Sequence, residues 1–100
     1  MALNIVYYDE IIQDVKEAKT WYKQQKKGLE LRFSNAIRET ITAIETNPFE
    51  YSIRYKSSRI AFSKVFPYRI HFFIDEANNK IVIFAILHTS MNPIRAEKRT

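Results

Sequence analysis

The stretch Lys80–His88 (KIVIFAILH) sets the tightest limit on how this chain can fold. All seven residues from Ile81 to Leu87 are apolar, so an extended strand here presents apolar side chains to both of its faces. Such a strand is stable as a central strand, flanked by neighbours and covered above and below. It is far shorter than the roughly 20 residues a membrane-spanning helix needs, and no longer apolar run occurs in the chain. The other residues must therefore supply both the neighbouring strands and the cover.

The hydrophobic period shows where each comes from. Leu3–Tyr8 is a short strand of β-branched and aromatic residues, and Asp9 is placed to cap a helix after it. From there the apolar positions 11, 12, 15, 18, 21 and 22 follow helical spacing, with Ala18, Trp21 and Tyr22 closing the stripe expected to be buried. Gly28, the only glycine, stops this helix after a lysine-rich turn. A second helix carries Phe33, Ala36, Ile37, Thr40, Ile41 and Ile44 on one stripe and ends at Asn47-Pro48, since a residue before proline disfavours helix. Residues 49–58 read as a polar, basic connector. Beyond it the period becomes two. Arg59–Val65 alternates, with Ile60 and Phe62 opposite Arg59, Ala61 and Ser63; Pro67 forces a turn or bulge; Tyr68–Asp75 alternates again. Glu76–Asn79 is a turn, and the tail after Pro93 has room for one short helical turn. The predicted order is β-α-α-β-β-β, an α+β fold of one domain over residues 1–100, with a helical hairpin packed on a small antiparallel sheet.

Charge is distributed unevenly. Residues 1–50 carry seven basic and eight acidic side chains, residues 51–100 nine and three, within a net charge of +5. No acidic residue lies between Tyr51 and Ile74, where Arg54, Lys56, Arg59, Lys64 and Arg69 all fall. A field of one sign favours an anionic partner, either nucleic acid or an acidic protein segment, although a solvated basic surface has the same composition. Several function classes are excluded. One glycine leaves no phosphate-binding loop, two histidines without cysteine give no zinc spacing, and no nucleophile elbow is present. No cofactor and no metal are expected. Having no cysteine, the chain has neither a disulfide framework nor thiolate chemistry, which fits the cytoplasm. The N-terminal MALNIVYYDE lacks the pattern of a secretory signal. The acidic side chains lie mostly on the helices, where pairing with nearby lysines is their expected role.

The remaining candidates are Arg59, Arg69 and His71, read as one sheet face, with Lys64 and His88 nearby in sequence. Arginine can hold phosphate or carboxylate with two parallel bonds, and histidine can exchange a proton near neutral pH. A strand histidine is more commonly a satisfied, half-buried one. An internal strand arginine must reach water or an anion, which makes Arg69 the stronger candidate.

Four pieces, EAKTWYKQQKKGLELRF, AIETNPFEY, FPYRIHFFID and IVIFAILHTSMNP, occur in an order and at a spacing that resembles the RelE/ParE superfamily of bacterial type II toxins. The resemblance covers most of the chain and implies the same fold, a helical hairpin against a small antiparallel sheet. It also implies a cognate antitoxin as partner and one of two targets. RelE-like members cut mRNA on the ribosome, whereas ParE-like members bind DNA gyrase. Arg69 matches the arginine that stabilises phosphate in the nucleases, and Lys64 matches one member of their basic strand set. The other positions of that set hold Ile60 and Phe62, Met91 stands where an arginine is common, and no tyrosine follows Tyr68. These departures favour the ParE-like branch: a gyrase-binding toxin rather than an enzyme, with Arg59, Lys64, Arg69, His71 and Arg95 contacting target or antitoxin. The alternatives are a nuclease using Arg69, Lys64 and His88, and a homologue whose toxicity is weakened or lost.

Overall fold

The computed structural model describes residues 3–100; Met1 and Ala2, where the reading of the N-terminus as lacking a secretory signal begins, lie outside it. Strand β1 (Asn4–Tyr7) leads into helices α1 (Glu10–Gln25) and α2 (Leu29–Thr46). A single 3-10 turn at Pro48–Glu50 precedes β2 (Ile53–Tyr55), β3 (Ser58–Phe62), β4 (Tyr68–Asp75) and β5 (Lys80–His88), and a last short helix α3 spans Ile94–Glu97. The five strands form one sheet in the order β1-β5-β4-β3-β2. The α+β class and the helical hairpin on a sheet are as expected. The connector 49–58 differs: it contributes β2, a three-residue edge strand paired to β3 through Ile53↔Arg59. The sheet is also not wholly antiparallel, because β1 runs parallel to β5, from Asn4↔Lys80 to Tyr7↔Ile83.

The apolar run is indeed central. Ile81, Ile83, Phe84 and Ala85 of β5 have no exposed surface. Ile81, Ile83 and Ile86 join Ile70 and Phe72 of β4 under the helices, with Ile11, Ala18, Phe33, Ile37 and Ile44. The other face holds Phe84, Ala85 and Leu87, covered by Ala96 of α3 and flanked by Tyr8, Tyr55, Phe73 and Met91. A bulge allows β5 to serve both layers: Phe72 pairs with Ile83 but His71 with Ala85, so Phe84 and Ala85 share one step of the ladder.

Two expected burial patterns are corrected. In α1, Ile12 and Trp21 are exposed (75% and 57%), while Asp14 is buried. The six apolar positions span more of the helix than one sheet face can cover. Asp9 stands at the N-cap but makes no side-chain bond to the helix. In β3 the phase is reversed: Ala61, paired with Ile70, faces the helices, and Phe62 is exposed. Ile60 pairs with His71 and Phe62 with Arg69, so both lie on the far face. Small Ala61 suits the crowded side under α2, while half-buried Ile60 covers the imidazole beside it.

Asp14 has a specific structural task. Past Tyr8, whose N–H reaches the Ile83 carbonyl, β1 ends, and among the described residues no strand lines the outer edge of β5 there. Asp14 Oδ2 accepts the Ile86 N–H at 3.0 Å. Arg99, from the tail, donates Nη1 to the Phe84 carbonyl at 3.0 Å and to Asp14 Oδ2 at 2.7 Å, and Nη2 to Asp14 Oδ1 at 3.0 Å. One carboxylate and one guanidinium thus replace the missing strand and tie α1, β5 and the tail together.

Breaking such a buried pair from one side leaves a charge uncompensated. Asp14→Ala is expected to lower stability by roughly 3–5 kcal/mol, against less than about 1 kcal/mol for Glu17→Ala, whose pair with Arg95 is about half exposed; urea-unfolding midpoints measure both. Gly28 has φ +91° and nothing within 4 Å of where a Cβ would stand, so Gly28→Ala should cost about 1 kcal/mol by backbone strain alone in the same assay.

Candidate functional site

The structure divides the sequence candidates among several places. Arg69 and His71 do share the far face of β4, but Arg59 does not join them. Its pairing with Phe72 puts it on the helix-facing side, where Nη1 donates to the Tyr51 carbonyl and the guanidinium lies 5.4 Å from the Phe49 ring centre. The expected single face bearing Arg59, Arg69 and His71 is therefore corrected: adjacent positions in β3 and β4 that face each other share a side, and Arg59 faces Phe72. Lys64 is exposed in the loop after β3, next to Val65, whose φ of 71° is strained for a β-branched residue. His88, at the end of β5, accepts at Nδ1 from the Ser90 N–H at 3.0 Å. Arg95 lies on the outer side of the tail, 3.9 Å from Glu17.

Arg69 and His71 lie under the tail. Arg69 Nη2 donates to the Met91 carbonyl at 3.1 Å, and its Nε is buried without a partner among the described residues. His71 has no exposed surface, so in this conformation it offers a partner nothing to touch. Its Nδ1 lies 2.9 Å from the Tyr55 hydroxyl, and its Nε2 likewise has no partner among the described residues. Burial lowers the His71 pKa to about 4; the Arg69 and Arg99 charges push the same way, and Asp14 opposes them. The imidazole is therefore neutral at physiological pH. A buried neutral histidine beside an arginine already bonded to a carbonyl is poorly equipped for proton transfer to a substrate. Tyr55, which orients His71, was missed in the sequence because it belongs to the short strand hidden in the basic connector.

A second surface had only a faint sequence signal, the excess apolar positions of α1. A groove of about 800 Å³ runs between α1 and α2. Ile11 and Val15 line it, exposed Ile12 and Leu31 flank it, and Lys16, Lys19, Lys23 and Lys27 stand along it, outnumbering Glu30, the one acidic residue of the lining. The first three lysines recur at helical spacing on one side of α1, so the groove joins an apolar floor to a basic edge. Among the described residues no cluster of side chains suits a metal ion, and no helix is long and apolar enough to cross a membrane.

Comparison with known proteins gives a consistent picture. The family model for the ParE toxin of type II toxin-antitoxin systems, parDE, matches residues 5–93. Among solved structures, a chain of the chromosomal ParDE TA system from P. aeruginosa superposes with a TM-score of 0.77 at 13% identity, covering 89% of this chain and 98% of that one. At that identity the likeness concerns the fold. No curated protein matches this chain.

The depressed His71 pKa has a stability consequence. Between about pH 6.5 and 4 the unfolded chain binds a proton that the folded one refuses, so the stabilisation, complete above about 6.5, is lost as pH falls through this window. His71→Gln removes this dependence. Urea midpoints measured at both ends of the window should fall more steeply with acid in the parent than in the variant, and equal slopes would contradict the buried neutral imidazole.

Proposed function

Because the chain belongs to the ParE toxin family of type II toxin–antitoxin systems, we propose that it is the toxin of such a pair, acting in the cytoplasm, arresting growth by binding DNA gyrase and silenced by an antitoxin made with it. The observation that carries the antitoxin half of this reading is the groove between α1 and α2. An apolar floor beside a line of lysines is complementary to an amphipathic helix with one acidic flank, and a helix laid in a groove is a common way for a folded domain to hold a flexible partner. The basic stretch from Arg54 to Arg69, which holds no acidic residue, adds to the positive field of the chain.

Binding rather than cutting is supported by the Arg69–His71 face. RNA cleavage calls for cations that meet the developing charge and a group that moves a proton, each contributing orders of magnitude in rate. Here Arg69 is bonded to the Met91 carbonyl, His71 is buried, and Ile60 and Phe62 replace basic residues on the same face. Arg69, Lys64 and Arg95 remain candidate contacts with a macromolecular target, Lys64 and Arg95 being exposed. Arg59 holds the connector instead.

Purified protein should inhibit supercoiling by gyrase while leaving ribosome-bound mRNA intact. Cuts at codon boundaries with normal supercoiling would replace this reading with the nuclease one, and no growth arrest on induction would favour a homologue that has lost toxicity. For the groove, Leu31→Glu should weaken antitoxin binding at least about 100-fold, a hot-spot effect of roughly 3 kcal/mol, with little change in melting temperature because Leu31 is 63% exposed.

A further inference from the structure

Resting on the gyrase reading above, we propose that the loop between β3 and β4 holds the target, with Val65 as an anchor seated in an apolar, acid-rimmed pocket of DNA gyrase. No residue of this loop lines the groove between α1 and α2, so the two partners engage different residues.

Two three-residue turns build the loop. The Phe66 N–H donates to the Lys64 carbonyl at 2.8 Å, and the Tyr68 N–H donates to the Phe66 carbonyl at 2.8 Å. The first turn is centred on Val65, whose φ is 71°, which makes it the rare, strained form of the γ-turn. The tip is pinned in this shape from its C-terminal side. Phe66 is buried, with its ring centre 5.0 Å from that of Tyr22 and 5.5 Å from that of Phe33. The Pro67 carbonyl accepts the Thr89 N–H at 2.8 Å, and the Ser63 N–H closes the hairpin on the Tyr68 carbonyl at 3.0 Å.

Valine is the wrong residue for this place if the loop serves only the fold. A left-handed backbone suits glycine or asparagine and is least suited to a β-branched residue. Burial does not offset the strain either: Val65 is 87% exposed, more than any other large apolar side chain among the described residues. A strained conformation held by its surroundings is characteristic of ligand clamps and contact sites. An aliphatic knob on a rigid loop also loses little freedom when it binds.

The neighbours of the knob are cationic. Lys64 is exposed, and Phe62, where β3 ends, is 54% exposed and has the Arg54 guanidinium 5.9 Å from its ring centre. No acidic residue lies between Tyr51 and Ile74. A valine offers a nucleic-acid base neither a hydrogen bond nor a ring face, so the tip fits a protein. The complementary surface is an apolar pocket for the branched methyls, with carboxylates at its mouth for Lys64 and Arg54.

Three variants separate the side chain from the strain. Val65→Gly and Val65→Asn relieve the strain and remove the branched methyls, whereas Val65→Ile keeps both. In urea the first two should be at least as stable as the parent. In supercoiling assays with purified gyrase they should need at least about tenfold more protein for half inhibition, an effect of anchor size, while Val65→Ile should inhibit like the parent. Calorimetric titration of gyrase alone should give the same order, and titration of a DNA duplex alone should be indifferent to position 65. A folded Val65→Gly or Val65→Asn that inhibits as well as the parent overturns the proposal, and so does duplex binding that these substitutions abolish. A parent that leaves supercoiling untouched overturns the gyrase reading itself, and this contact with it, a result distinct from an active parent whose variants stay active.

Discussion

The bond between Asp14 and Arg99 is the constraint on which the rest of the structure depends. A sheet with a fully apolar central strand must cover both faces, and here one cover is the helical hairpin and the other is a short tail. The two covers meet at the β5 edge, where β1 has run out. Asp14 reaches that edge from the hairpin side and Arg99 from the tail side, each also satisfying a backbone group of β5. Hydrogen bonds to ionised groups are about twice as strong as neutral ones, and Asp14 is almost entirely removed from water. The pair thus fixes where the tail lies, and the tail in turn decides what Arg69 and His71 can do.

Much of this could be read in the sequence, and the exceptions share a cause. The helices, the central strand, the two long antiparallel strands, the turn at Glu76–Asn79 and the last helical turn all announce themselves by local spacing. Strand β2 does not: three residues of mixed character are extended only because β3 pairs with them. Asp14 looks like any surface carboxylate on a lysine-rich helix, and its partner stands 85 positions away. The reversed phase of β3 has the same origin. Ile60 looks like core by composition, but it covers the buried imidazole on the other side of the sheet. Local pattern gives the elements; pairing between distant side chains gives the site.

Helix α1 separates its charges by side. Lys16, Lys19 and Lys23 line the groove toward α2, while Asp14 and Glu17 turn to the end of β5 and the tail. A helix that looks evenly charged in sequence therefore keeps its lysines toward the groove and spends these two carboxylates on the arginines of the chain's own tail. Exposed Ile12 and Trp21 fall one on each side, each giving its surface an apolar anchor.

The clasp also governs when the molecule becomes complete during synthesis. Strand β1 pairs with β5, and the carboxylate of α1 waits for Arg99, 85 positions further along the chain. Contacts of such long sequence separation form late and slowly, and a domain emerging from the ribosome matures as a unit. While Arg99 is still in the exit tunnel, the β5 edge is unsealed and Arg69 lacks its cover. The surface over Arg69 and His71 is therefore finished only once the tail has docked, however early the helices and the long strands have formed.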